Sequence, residues 1–262
     1  MDLEMKGRTA MVIGGARGIG FATAKELAAA GVKVAIVDLD GETAQKSAQK
    51  LADDMGVSSI GLGANIASLD DIETAVGNIE DKLGKLDICI VTAAIVDDKL
   101  FAESGPSDWK RMIDICLYGP MNVLHVVLPG MIERKYGRII CMASDSARVG
   151  QARLSYYAAA KAGVIALIKS VSQEVSQFGI TANVVSPGAT DTELRQAREA
   201  EMRQQMGDEK YEKRVQKVLR MYPARRIGLP EDHAGVIAFL ASDRASWITG
   251  QVLSVNGGFV MP

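Results

Sequence analysis

The chain has 262 residues and a mass of 27.9 kDa, and its 48% hydrophobic content is ample for one large α/β core or two small ones. Thirty basic against 32 acidic side chains leave a net charge of -2, which supplies no long-range field for nucleic acid or an anionic membrane. The longest near-uninterrupted apolar run, residues 88–96, is far below the roughly 18 residues of a membrane span, and residues 1–6 lack the order of a signal peptide, so a cytoplasmic protein with no membrane or nucleic-acid partner is expected.

Short β-rich runs alternate with longer helical patterns through the first 190 residues, the sequence form of an α/β parallel sheet covered on both faces. Residues 8–13 read as the first strand, 18–30 as a helix stopped by Gly31, 33–37 as the second strand and 42–55 as the next helix. Further strands are expected near 58–63, 86–91, 137–142 and 180–185, with helices from Leu69, Ser107 and Leu154 between them. Residues 193–226 break the alternation with charged helical sequence, ten Lys or Arg against six Asp or Glu. The pattern resumes with a helix over 230–241 and a last strand over 251–255. This predicts a single domain over 1–262. The segment at about 189–226 would lie over the carboxyl edge of the sheet, where open α/β folds bind ligands, as a substrate lid or as a solvated helical pair.

Cys89, Cys116 and Cys141 form no CxxC pair and sit in apolar contexts, which predicts reduced, buried thiols in a reducing compartment. His125 and His233 each lack a second His or Cys at ligand spacing, so no metal site is expected and Ser-His-Asp hydrolysis drops out. His125, in an apolar helical stretch, is expected to be a hydrogen-bonded core residue.

Three groups of residues carry chemistry. Gly14-Gly15-Ala16-Arg17-Gly18-Ile19-Gly20 follows the first strand and opens a helix, so backbone amides and the helix N-terminus can face a pyrophosphate. Asp38, at the end of the second strand, is placed to accept both ribose hydroxyls of NAD and to repel a 2′-phosphate. Tyr157 and Lys161 are four residues apart on one helix and share a face. A neighbouring ammonium favours a phenolate, which makes such a tyrosine a usable base. Ser144 is then free to hold a substrate oxygen.

The Gly-x-x-x-Gly-x-Gly spacing, Tyr157-Ala-Ala-Ala-Lys161 and Ser144 together resemble the short-chain dehydrogenase/reductase family over nearly the whole chain. Further landmarks agree: Leu86-Asp87-Ile88, Gly137-Arg138-Ile139-Ile140, Pro187-Gly188 with Thr192, and Asn256-Gly257-Gly258. The resemblance implies a Rossmann-type doubly wound sheet of seven strands in the order 3-2-1-4-5-6-7. It implies NAD as cofactor and Ser144, Tyr157 and Lys161 as the catalytic set. Gly14, Arg17, Gly18, Ile19 and Gly20 would meet the phosphates, Asp38, Leu39 and Asn65 the adenosine end, and Ile66 and Ala93 would also contact the cofactor. Pro187, Gly188, Thr190 and Thr192, with Tyr157 and Lys161, would hold the nicotinamide end. Family members commonly form tetramers through helices matching residues 158–175 and 112–127, so a homotetramer is implied.

The sequence departs from the family pattern in places. Val91-Thr92-Ala93-Ala94 stands where Asn-Asn-Ala-Gly is usual, with Thr92 placed to take over part of the lost strand tie. Cys116 falls on the helix asparagine that completes a proton relay, leaving the backbone there to hold a water. Ile13 and Asn65 replace a threonine and an aspartate. The activity expected is NAD-dependent oxidation of a secondary alcohol to a ketone. Residues 142–150 and 250–255 resemble the branch acting on ring hydroxyls of alicyclic acyl-CoA thioesters such as 2-hydroxycyclohexanecarboxyl-CoA. On that reading Arg195, Arg198, Arg203, Arg225 and Arg226 would meet the CoA, and Met202, Met206 and Met221 would cover the ring. Arg148 is an alternative anion contact nearer the chemistry. The competing readings are a 3-oxoacyl thioester reductase and a catalytically silent NAD-binding scaffold.

Overall fold

The strand Thr9–Ile13 (β1) is buried at every position, so its alternating side chains feed two cores: Met11 and Ile13 enter one, Ala10 and Val12 the other. A strand apolar on both faces requires helices on both faces. The computed structural model, which describes residues 3–261, supplies them.

After β1 come α1 (Gly18–Ala29), β2 (Lys33–Asp38), α2 (Gly41–Met55), β3 (Ser59–Gly63), α3 (Leu69–Leu83) and β4 (Ile88–Val91). The second half runs α4 (Pro106–Ile113), α5 (Gly119–Arg134), β5 (Gly137–Met142), α6 (Ser146–Val149), α7 (Ser155–Val175) and β6 (Ile180–Pro187). It closes with α8 (Glu193–Met206), α9 (Asp208–Met221), α10 (Pro230–Leu240) and β7 (Val252–Val255). Among the described residues the strands form one seven-stranded parallel sheet in the order β3-β2-β1-β4-β5-β6-β7, the expected fold and order. Leu27, Leu51 and Ile237 of α1, α2 and α10 pack on Val12, Ile36 and Ile90. On the opposite face Ile79, Val127 and Ile168 of α3, α5 and α7 pack on Met11, Cys89 and Ile139.

Pro106–Arg134 is one helical path, interrupted by a π turn at Asp114–Tyr118. By length and composition alone it could cross a membrane, which the count of uninterrupted apolar residues missed. Its stripe of Met112, Cys116, Val123, Leu124, Val127 and Met131 is nevertheless buried in the protein. His125 falls off that stripe and is exposed, contrary to expectation, because the 100° step of a helix carries it away from Leu124. The buried histidine is His233, 1% exposed in α10. Cys89, Cys116 and Cys141 are all buried and free.

The ends of β5 and β6 opposite the cavity are locked by charge. Arg138 is 4% exposed, and its guanidinium donates to Asp243 at 2.8 Å and to the Gly179 carbonyl at 3.1 Å. Asp243 also accepts from Tyr136 Oη at 2.8 Å and pairs with Arg8 at 3.4 Å. Removing the carboxylate strands a buried cation. Asp243→Ala is therefore expected to cost about 3 kcal/mol in urea unfolding, and Asp243→Asn, which keeps an acceptor, less.

Candidate active site

β1 sits between β2 and β4, so the chain leaves the carboxyl ends of β1 and β4 in opposite directions and opens a cleft there. A cavity of about 620 Å3 occupies it. Its floor is backbone packed on backbone. A Cβ at Gly14, where φ is +76°, would stand 2.6 Å from the Ala93 nitrogen, and one at Gly20 would stand 2.1 Å from the Gly14 carbonyl. Thr92 Oγ1 donates to the carbonyls of Ile13 at 2.8 Å and Gly14 at 3.0 Å, so it does tie the first loop to the strand end.

The start of α1 differs from its neighbours. α2 is capped by Asp40, which accepts from Thr43 N, and α3 by Ser68, with Asp70 and Asp71 in its first turn. α1 has neither a side-chain cap nor an acidic residue in its first turn. Its amides and its positive dipole end are left for an anion, and the glycine floor admits close approach, which together fit the pyrophosphate of a dinucleotide.

Of the residues marked in the sequence, Arg17, Gly18, Ile19, Asn65, Ile66, Pro187 and Thr192 line this cavity. So do Gly14, Gly20, Asp38, Leu39, Ala93, Tyr157 and Lys161. Asp38 accepts from the Ala16 amide at 3.2 Å and the Asp40 amide at 3.3 Å, which fixes its carboxylate at the rim. Arg17 is turned aside, donating to Asp40 at 2.9 Å and to Thr43 at 3.0 Å. The Asn65 side chain closes its own turn on Ala67 N at 3.0 Å. Ser144, Gly188 and Thr190 are not among the lining residues. The Thr190 hydroxyl meets the Gly188 carbonyl at 3.1 Å and His233 Nε2 at 2.8 Å. Burial lowers the pKa of that imidazole to about 4, so it is neutral.

Tyr157 and Lys161 project from one face of α7 into the same buried corner, 8% and 2% exposed. Lys161 Nζ donates to the Met142 carbonyl at 2.9 Å, at the end of β5. Ser144 accepts from Ser146 Oγ at 2.9 Å and from Ser146 N at 3.3 Å, and its hydroxyl is hydrogen-bonded to Tyr157. The net direction of the phenol's pKa is upward, against the sequence expectation. Burial outweighs the opposing contributions of Ser144 and the Arg198 charge. Burial also lowers the pKa of Lys161. Tyr156 is occupied elsewhere, its hydroxyl donating to Asp97 at 3.2 Å. Cys116 lies in the π turn with its thiol directed to the Ile95 carbonyl at 3.6 Å.

One support of the site escaped the sequence reading. Asp145, 2% exposed, accepts from Ser186 Oγ at 2.9 Å and from Asn256 Nδ2 at 2.7 Å, tying together the ends of β5, β6 and β7 behind Ser144. Its pKa is raised by burial. Adjacency to Ser144 was the available signal; the partners are 41 and 111 residues away. The lid methionines named above do not line the cavity, whereas Leu194 and Ala197 of α8 do.

Comparison with known proteins agrees with this geometry. A family model described as enoyl-(acyl carrier protein) reductase matches residues 14–260. The 3-oxoacyl-[acyl-carrier-protein] reductase FabG of Escherichia coli is 35% identical over 259 residues, 99% of this chain and 100% of the relative. The acetoacetyl-CoA reductase of Synechocystis sp. is 34% identical over 258 residues, 98% of each chain. The crystal structure of levodione reductase is similar with a TM-score of 0.90, at 27% identity over 97% of both chains.

The Thr92 tie can be tested directly. Thr92→Val keeps the shape and removes the donor, and is expected to cost about 1 kcal/mol of stability and to weaken dinucleotide binding in calorimetry. Thr92→Ser should restore both.

Proposed function

The chain belongs to the short-chain dehydrogenase/reductase family of oxidoreductases, and we propose that it is an NAD-dependent enzyme interconverting a secondary alcohol and its ketone. The single observation carrying this reading is the pair of buried residues Tyr157 and Lys161 facing a glycine-floored cavity with Asp38 at its rim, the phenol being hydrogen-bonded to Ser144. A silent scaffold has no need of a phenol and an ammonium kept out of water side by side, where each is costly. Three buried free thiols suit a reducing, cytoplasmic setting.

The bound nicotinamide would supply or accept the hydride. Backbone amides at the start of α1 would bind the pyrophosphate, and Asp38 the adenosine ribose. Ser144, polarised by the two donors from Ser146, would direct its own proton to the substrate oxygen. Tyr157 would give that oxygen a proton in reduction and take one in oxidation. Lys161, anchored on Met142, would supply positive potential beside it. The backbone of the π turn at Cys116 would serve any water in the relay. A homotetramer through α5 and α7 is part of the proposal, supported by exposure of 56% at Tyr118 and 37% at Met121.

The walls before Tyr157 are Ala94, Ile95, Val96, Ile115 and Leu194, which favours a compact apolar substrate such as a cyclic alcohol or ketone. Similarity to levodione reductase supports that choice. The second reading, a 3-oxoacyl thioester, is favoured by the relatives named for 3-oxoacyl carrier protein and acetoacetyl-CoA. Against a CoA or carrier phosphate on the lid, Arg195, Arg203 and Arg226 are already paired with Glu199, Asp208 and Asp232. Following nicotinamide absorbance with a cyclic alcohol and a 3-hydroxyacyl-CoA separates the two readings by kcat/KM.

Two unit charges 4 Å apart at an effective dielectric of 20 interact by about 4 kcal/mol, so Asp38 should disfavour a 2′-phosphate. NAD is expected to exceed NADP by about 100-fold or more in kcat/KM, and Asp38→Ala to narrow the gap. Equal values in the wild type would exclude the role.

Because burial holds the Tyr157 phenol protonated at neutral pH, ketone reduction should be supported there and decline at alkaline pH, while alcohol oxidation should rise with pH. Tyr157→Phe is expected to lower kcat by at least about 100-fold in both directions with NAD binding retained. Tyr156→Phe, whose lost contact is to Asp97, should have the smaller effect.

A further inference from the structure

Four of the five lid arginines marked in the sequence are engaged close to home. Arg195 pairs with Glu199 at 2.8 Å, Arg203 with Asp208 at 2.6 Å and Arg226 with Asp232 at 2.7 Å, while Arg225 donates to the Arg220 carbonyl at 3.1 Å. Arg198 differs. The carboxylate facing it, Asp98 Oδ2, lies 3.6 Å away, beyond a good hydrogen bond. Asp98 is already held by Arg153, which bonds both its carboxylate and its carbonyl. Arg198 Nε is buried without a hydrogen-bond partner. Two guanidinium groups thus share one carboxylate, with Glu103 near Arg153 as the other acidic group.

Position on the helix sets this group beside the site. Leu194 and Ala197 line the cavity, and Arg198, just outside the lining, stands four residues after Leu194 on the same side of α8, facing Asp98, two residues beyond the lining residue Val96. Its charge reaches the Tyr157 phenol. Ala94, Ile95, Val96 and Ile115 make this end of the cavity apolar. A planar fork of donors beside that apolar wall, with its facing carboxylate no nearer than 3.6 Å, matches a carboxylate more closely than any neutral group.

We propose that Arg198 sets substrate specificity by binding a carboxylate carried on the same molecule as the reacting hydroxyl, so that the substrate is a hydroxy acid, or its oxo acid, with a compact apolar body. This deepens the proposed function and rests on the cavity being a nicotinamide-linked alcohol site. The bound carboxylate supplies the close acceptor that Arg198 Nη2, 3.6 Å from Asp98, lacks, and leaves Asp98 to Arg153. It also fixes the distance between anion and reacting carbon, and so selects which ring or chain position is presented to Tyr157.

The test compares 3-hydroxycyclohexanecarboxylate, its methyl ester and 3-methylcyclohexanol as substrates with NAD. In parallel, calorimetry measures the binding of cyclohexanecarboxylate to the enzyme–NAD complex. The wild type is expected to prefer the carboxylate over the ester in kcat/KM, and Arg198→Gln to reduce that ratio about 10- to 100-fold. Arg198→Lys, which keeps the charge on a side chain of similar length, should retain part of it. Carboxylate binding in calorimetry should follow the same order. A wild type without preference, a preference that survives in Arg198→Gln, or carboxylate binding indifferent to residue 198 overturns the proposal. Oxidation of none of the three alcohols would count against the alcohol-site reading, and the calorimetric arm still decides whether Arg198 is an anion site.

Discussion

The first loop of the protein lies directly on the backbone that follows β4, with no side chain between them. Gly14 and Gly20 make this possible, because a Cβ at either would fall within 2.6 Å of a main-chain atom. Thr92 secures it from the opposite side with one hydroxyl shared by two carbonyls. The direction of α1, the open amides at its start and the depth of the cleft all follow from that contact. A close-packed interior offers no cheap relaxation around an added methyl group, so the floor of the cavity is as rigid as the sheet that carries it.

Above that floor one cause recurs. Tyr157, Lys161 and Asp145 are all buried, and in each the charged form is disfavoured by loss of water. The first two face the cavity, and the third faces inward and braces three strand ends. Burial therefore sets the resting state of this corner as a protonated phenol with its hydroxyl joined to Ser144. The position of the lysine is fixed by the Met142 carbonyl.

The charged segment shows how different a composition is from an electrostatic surface. Residues 193–226 carry ten basic side chains against six acidic ones, yet Arg195, Arg203, Lys213, Arg214 and Arg226 are paired with nearby carboxylates. What reaches the cavity from this segment is apolar, Leu194 and Ala197, with Arg198 beside them. The exposed pairs among these contribute little to stability individually, but they withdraw charge from any ligand on the outer surface.

Much of the molecule was legible in the sequence because its signals are local. The short β-rich run of β1, the helix stop at Gly31, the glycine loop and the shared face of Tyr157 and Lys161 each depend on neighbours within a few positions, and the strand order follows from the family those motifs resemble. His125 marks the limit of reading by neighbours, since one helical step from Leu124 was enough to place it in solvent. The Asp145–Asn256 bond, the Thr92 hydroxyl donated to two carbonyls, the rise of the Tyr157 pKa and the incomplete bonding of Arg198 join residues tens to more than a hundred positions apart. Sequence determined which chemical groups the protein owns and the elements they ride on. Only the tertiary structure decided which groups lose water together and which charges find a partner, because burial and Coulomb interaction depend on distance through space and not on separation along the chain.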